Sequence, residues 1–269
     1  MSLPAPSPTT TALVTGASSG IGAEMARELA QRGHGVVLVA RSADRLQELA
    51  AELTATGVRA EVLATDLTDR AARAALPSRV AALGLEVSVL VNNAGLSTTG
   101  PVLTADVEAE LRMVEVDVAA VVDLTTRFLP SLVEHRGALL NVASSAAFQP
   151  LPGQAGYGGS KAFVASYSQA LAEEVRGKGV SVTALCPGPV ATEFFETAGF
   201  SEEEKSGVLP GFMWEDVVDV ARAAIDGLER GRMIVIPGLG TKAAVGLGRF
   251  APRRILLAAL ARQHPALRR

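Results

Sequence analysis

Tyr157 and Lys161 stand four residues apart within Ala155–Arg176, a stretch that reads as one long helix, so both side chains project from one face. A tyrosine has an ordinary pKa of about 10, and a nearby ammonium plus a cationic nicotinamide would favour its phenolate, bringing it closer to use as an acid/base at neutral pH. Ser144 lies thirteen residues before Tyr157, just beyond the apolar run Ala138–Val142. From there its hydroxyl can bond the same substrate oxygen. The three side chains are suited to giving a proton to a carbonyl oxygen, or taking one from an alcohol, while a hydride moves at the carbon.

A hydride needs a carrier, and the amino-terminal region holds a place for one. The run Ala12–Thr15 leads directly into Thr15-Gly16-Ala17-Ser18-Ser19-Gly20-Ile21-Gly22 and then into the amphipathic stretch Ala23–Arg32. Strand, glycine turn and helix in this order let the backbone approach a pyrophosphate, whose charge meets the free N–H groups and positive end of the helix. About twenty residues past such a turn an acid ordinarily holds a ribose 2′-hydroxyl; here the sequence is Val39-Ala40-Arg41-Ser42. With no carboxylate to repel a 2′-phosphate and the planar fork of Arg41 to receive it, NADP(H) is the expected cofactor.

These side chains must be carried by regular elements. Short apolar runs at Ala12–Thr15, Gly35–Ala40, Arg59–Ala64, Ser88–Val91, Ala138–Val142, Val180–Leu185 and Met233–Ile236 read as strands. Helical stretches separate them, for example Ser42–Thr56 with Leu46, Leu49 and Leu53 inward. The alternation describes an α/β fold, a doubly wound parallel sheet of about seven strands with helices on both faces. The expected organisation is a flexible arm over 1–10, one catalytic domain over 11–240 and a basic, partly helical extension over 241–269. Residues 188–212, with Pro, Gly and a single turn capped by Ser201, read as a mobile substrate loop.

Composition closes other routes. Hydrophobic residues are 48% and aromatics 4%, so the core is built from Ala, Val and Leu, and disordered, collagenous and disulfide-stapled classes are excluded. Cys186 is the single cysteine, which fits a reducing compartment, and His34, His135 and His264 are scattered, so no metal is expected. Residues 1–10 lack the basic and apolar regions of a secretory signal, and the uncharged stretches 87–105 and 137–160 are broken by polar residues. A cytoplasmic location is expected.

The net charge of −3 conceals −12 over residues 1–229 and +9 over residues 230–269. No nucleic-acid partner is expected. The basic end reads either as a solvated tail offsetting an acidic body or as a contact for an acidic partner or an anionic membrane surface. Within it, Arg253–Arg262 predicts a short helix burying Ile255, Leu256 and Leu260. Its cover is the chain's own fold, a neighbouring subunit or lipid, and the acidic body favours protein contacts.

The glycine turn, Asn92-Asn93-Ala94-Gly95, Ser144, Tyr157-Gly-Gly-Ser-Lys161 and Pro187-Gly188-Pro189-Val190-Ala-Thr192 follow one another in order over roughly residues 10–240. The set resembles the classical short-chain dehydrogenase/reductase family. That resemblance implies a single-domain Rossmann fold and cofactor contacts from Gly16, Ser18, Ser19, Gly20, Ile21, Gly22 and Arg41. It adds Asp66 and Leu67 at the adenine, Asn93, Ala94 and Gly95 beneath the adenosine ribose, Lys161 with Tyr157 at the nicotinamide, and Pro187, Gly188, Val190 and Thr192. Ser144, Tyr157 and Lys161 would be catalytic. Asp117 stands where the family has a catalytic asparagine, whose main-chain carbonyl holds a relay water, a role independent of the side chain.

By the same resemblance Leu96, Phe148, Gln149, Gln154, Pro189, Phe194, Phe195 and Met213 would line a mostly apolar substrate pocket. Homo-dimers or homo-tetramers would form through helices near 104–135 and 155–176. The expected activity is NADP(H)-linked interconversion of a carbonyl and an alcohol on an apolar small molecule. A regulatory NADPH-binding protein without turnover is the other reading, and intact Ser144, Tyr157 and Lys161 argue against it.

Overall fold

In the computed structural model, which describes residues 3–192, 214–250, 252–263 and 267, each apolar run becomes a strand of one sheet. The strands are β1 Thr10–Thr15, β2 Gly35–Val39, β3 Ala60–Val62, β4 Glu86–Asn92, β5 Ala138–Val142, β6 Ser181–Leu185 and β7 Ile234–Val235, in the order β3-β2-β1-β4-β5-β6-β7. All six pairings are parallel. The expected doubly wound sheet is therefore present, with β3 and β7 shorter than their apolar runs.

The helices are α1 Gly20–Gln31, α2 Ala43–Ala55, α3 Arg70–Ala82, α4 Val107–Val114, α5 Ala120–Glu134, α6 Ala155–Glu174, α7 Val217–Glu229, α8 Leu239–Phe250 and α9 Arg253–Gln263. Successive strand residues feed opposite cores, as the two-residue period of a strand requires. Ala12, Val14, Val36, Leu38, Val89 and Val91 pack under α1, α2 and α7, among Met25, Leu29, Leu46, Leu49, Leu53 and Ile225. Leu13, Val37, Val39, Leu90 and Leu139 pack on the other face with Leu76, Leu124, Phe128, Leu132 and Leu171 of α3, α5 and α6. Leu3, in the amino-terminal arm, packs against the first of these cores.

Two features of this frame position the site. The strand order reverses between β1, which pairs with β2, and β4, so a crevice opens at the carboxyl ends of β1 and β4, where parallel sheets receive ligands. A buried amide chain then ties β4, β5 and α6 together: Asn92 Nδ2 donates to Asn141 Oδ1 at 2.9 Å and to Thr125 Oγ1 at 3.1 Å, and Asn141 Nδ2 donates to Ser168 Oγ at 2.9 Å. In a low-dielectric interior these bonds hold α6 in one packing on the sheet, and Asn92 Oδ1 is the one side-chain carbonyl of this amide chain left without a hydrogen bond. Among the described residues no helix is long and apolar enough to cross a membrane.

Candidate active site

The turn after β1 is built around two glycines. Gly16 has φ +65°, and a Cβ there would lie 2.7 Å from Asn93 Nδ2; a Cβ on Gly22 would lie 2.3 Å from the same atom and from the Gly16 carbonyl oxygen. Asn93 fills this space by donating to the carbonyls of Thr15 at 3.0 Å and Gly16 at 3.2 Å. Thr15 Oγ1 accepts the N–H groups of Asn93 and Ala94 at 2.9 and 3.1 Å and donates to the Val91 carbonyl at 3.2 Å. Glycine turn and Asn-Ala-Gly segment are thus one hydrogen-bonded unit. Ser19 begins α1 without capping it through its side chain, and the first turn carries no acid, so the positive end of α1 is open to an anion.

One cavity of about 1050 Å³ is lined by Gly16, Ser18, Ser19, Gly20 and Ile21, then by Arg41, Asp66 and Leu67, by Asn93, Ala94 and Gly95, and by Ser144, Tyr157 and Lys161. Pro187, Gly188, Val190 and Thr192 also line it. Of the residues singled out in the sequence, Gly22 and Asp117 support the cavity from behind. Arg41 is exposed just past the end of β2. Asp66 is held below the ordinary carboxylate range by the N–H of Thr68, with a further pull from the Thr68 hydroxyl and from Arg41. The uncapped α1, the glycine cradle and a lone arginine in place of a β2 acid fit a phosphate-rich dinucleotide.

Ser144, two residues beyond β5, caps the 3₁₀ turn Ser145–Phe148 by accepting the Ala146 N–H at 3.1 Å, and its hydroxyl hydrogen-bonds Tyr157. Lys161 is buried; its ammonium lies 5.7 Å from the centre of the Tyr157 ring and donates to the Val142 carbonyl at 3.2 Å. Asp117 lies in a π-helical turn, Glu115–Ala119, between α4 and α5, the kind of irregularity that re-aims side chains at functional sites. Its carboxylate stands 2.9 Å from Lys161 Nζ.

The electrostatics of the group pull in opposite directions. Burial pushes the Tyr157 phenol above its ordinary value, and the opposing pull of Lys161 and Ser144 does not overcome it; the Asp117 charge adds to the rise. Burial also opposes the Lys161 ammonium, but Asp117 and Tyr157 outweigh it and keep the lysine charged. Asp117 is itself pushed up by burial and drawn back by Lys161 and the Leu96 N–H. The ammonium that would favour a phenolate is already matched by a carboxylate.

Of the expected substrate contacts, Leu96, Phe148, Gln149, Gln154 and Pro189 line the cavity, and Phe194, Phe195, Met213 and the turn capped by Ser201 lie outside the described residues. The carboxyl-terminal helices supply a wall that the sequence did not announce. Trp214 joins Ala244, Val245, Leu256 and Leu260 of α8 and α9, so the predicted helix after Pro252 covers its leucines with the chain's own site; nothing is described for the Ile255 side chain. Arg73 was likewise unmarked in the sequence: fully buried, it binds the Leu67 carbonyl, Glu115 at 2.7 Å and Asp123 at 3.0 Å, fixing the loop after β3.

The short chain dehydrogenase family model matches residues 10–203. The chain belongs to the short-chain dehydrogenase family. This short-chain dehydrogenase is 37% identical over 205 residues to the serine 3-dehydrogenase of Agrobacterium fabrum, covering 75% of the chain and 80% of that enzyme. A short-chain dehydrogenase from Sphingobium yanoikuyae, solved in complex with NADPH, superposes with a TM-score of 0.78 at 34% identity over 93% of this chain and 95% of that one. The bulky-bulky ketone specific alcohol dehydrogenase from Comamonas testosteroni gives 0.74 at 30% identity over 98% and 93%.

Proposed function

We propose that this short-chain dehydrogenase uses NADP(H) to interconvert a carbonyl and an alcohol on an apolar small molecule, with Ser144, Tyr157 and Lys161 as its catalytic residues. The observation that carries the reading is that the anion-ready turn of α1 and the Ser144–Tyr157–Lys161 group line one cavity. Bound NADPH supplies a hydride to the carbonyl carbon. Tyr157 Oη gives its proton to the carbonyl oxygen, and Ser144 holds that oxygen through a hydrogen bond. The phenolate left behind is stabilised by Lys161, and in alcohol oxidation the same phenolate takes the hydroxyl proton.

Preference for the 2′-phosphorylated cofactor is supported by Arg41 and by the absence of any acid at 39–42, and the Sphingobium relative was solved with NADPH. An apolar substrate is supported by Leu96, Phe148, Trp214, Val245, Leu256 and Leu260 around the far end of the cavity. Assembly with further copies is supported by the exposed Leu103, Val107, Leu111 and Phe163 on and beside α4 and α6. The test is oxidation of NADPH and NADH against a panel of ketones and aldehydes. Turnover with NADPH at a kcat/KM about tenfold or more above NADH is the expected result, since a hydrogen bond to a charged phosphate contributes roughly 1.5–3 kcal/mol. Equal use of both cofactors would overturn the cofactor assignment, and no turnover across the panel would overturn the activity.

A further inference from the structure

The backbone at position 117 needs no charged side chain, yet a carboxylate is buried there with no exposed surface. Asp117 Oδ1 accepts the Leu96 N–H at 2.7 Å, a bond that an amide of the same shape would accept equally well. What the charge alone provides is at the other oxygen, Oδ2, 2.9 Å from Lys161 Nζ. This ion pair and the hydrogen bond from the ammonium to the Val142 carbonyl at 3.2 Å together set where Nζ sits relative to Tyr157.

The groups facing this centre are few. Tyr157 and Lys161 come from α6 and Asp117 from the π-helical turn. Ser144 offers a hydroxyl, and Cys186, beyond β6, is held neutral because burial pushes its thiol up to about 12. Glu110 of α4 approaches the first turn of α6 near Gly156, where Thr98 donates to it. Lys161 and Asp117 together carry no net charge, so ionising Tyr157 leaves the buried centre negative. With an amide at 117 the same ionisation would leave it neutral, and removing a negative charge lowers every remaining proton-release step of a coupled group.

We propose that the Asp117 carboxylate is a positioning residue that acts through Lys161, anchoring and neutralising the ammonium so that Tyr157 stays protonated and the site is set as a proton donor for carbonyl reduction. The inference rests on the reading of Tyr157 as the acid/base. The overall equilibrium between carbonyl and alcohol is untouched; what Asp117 moves is the pH at which the phenolate needed for alcohol oxidation becomes populated.

The chain has only two tyrosines, so in a Tyr167→Phe background the ultraviolet absorbance of tyrosinate reports Tyr157 alone, without substrate or cofactor. Titrating that protein with and without Asp117→Asn should show the phenolate forming at lower pH in the Asn variant. In parallel, the ratio of kcat/KM for alcohol oxidation to that for carbonyl reduction near pH 7 should rise roughly three- to thirtyfold. Coincident titration curves would overturn the proposal. Should Asp117→Asn fail to fold, Asp117→Ser in the same background takes its place, with the same downward shift expected and coincident curves again overturning the proposal. A shifted titration in a chain that reduces no carbonyl supports the Asp117 effect while removing the assigned activity, so the two failures are distinguishable.

Discussion

Thr241 Oγ1 donates to Glu215 Oε1 at 2.6 Å and so fastens the start of α8 to the segment that follows β6. Glu215 also accepts the Gly188 N–H at 3.3 Å and bridges Val190 along the backbone. Gly188 is required by this crowding, because a Cβ there would lie 2.3 Å from Thr241 Oγ1. The clamp holds the wall formed by α8 and α9 against the loop expected to meet the nicotinamide.

Truncation after Gly240 removes Thr241 and that wall together. We expect a lower melting temperature and a raised KM for apolar carbonyls, with no loss of sedimentation on anionic vesicles, because α9 turns Leu256 and Leu260 to the cavity. Salt-sensitive vesicle binding by the full chain, absent after truncation, would instead assign the basic end to a lipid surface.

Gly22→Ala tests the glycine turn. The added methyl group meets Asn93 Nδ2 and the Gly16 carbonyl oxygen at 2.3 Å, and overpacking of this kind costs about 1–3 kcal/mol. Thermal melts should fall, and NADPH affinity should fall with them because the turn must open. Unchanged melting and unchanged cofactor titration would mean that the turn is looser than its hydrogen bonds indicate.

Cofactor choice is set, on this account, just beyond the end of β2. Replacing Ala40 with Asp and Arg41 with Ala exchanges a phosphate fork for a ribose acceptor, so the NADPH-to-NADH ratio of kcat/KM should fall at least tenfold, about the worth of one charged hydrogen bond. A ratio that does not move shows that Arg41 does not read the phosphate.

Much of this was legible in the sequence because it rests on local spacing. The four-residue interval between Tyr157 and Lys161 survives as one face of α6, and the apolar runs become the seven strands of one parallel sheet. What was not legible depends on distance along the chain. Glu215 meets partners 27 and 26 residues away, at Gly188 and Thr241, and nothing in its neighbours' types marks it. Helix α8 was missed because Gly240, Gly246 and Gly248 lower its helix propensity, and its start is fastened from a distance by Glu215. The substitution at Asp117 was visible as a residue type, but its pairing with Lys161 comes from the π-helical turn, which no periodicity announces.

Tyr157→Phe separates binding from chemistry. Loss of the phenolic proton should lower kcat by about 10²–10⁴-fold, the usual worth of a positioned acid/base, while NADPH binding measured by titration stays nearly unchanged. Retention of more than about a tenth of kcat would remove Tyr157 from the reaction.

The most direct test follows the hydride itself. NADPH deuterated at the transferring carbon, incubated with this protein and an apolar ketone, should deliver deuterium to the carbinol carbon of the alcohol product, and Tyr157→Phe should nearly abolish that transfer. Binding of NADPH without deuterium reaching any carbonyl in the panel would contradict the account and leave a nucleotide-binding protein without turnover.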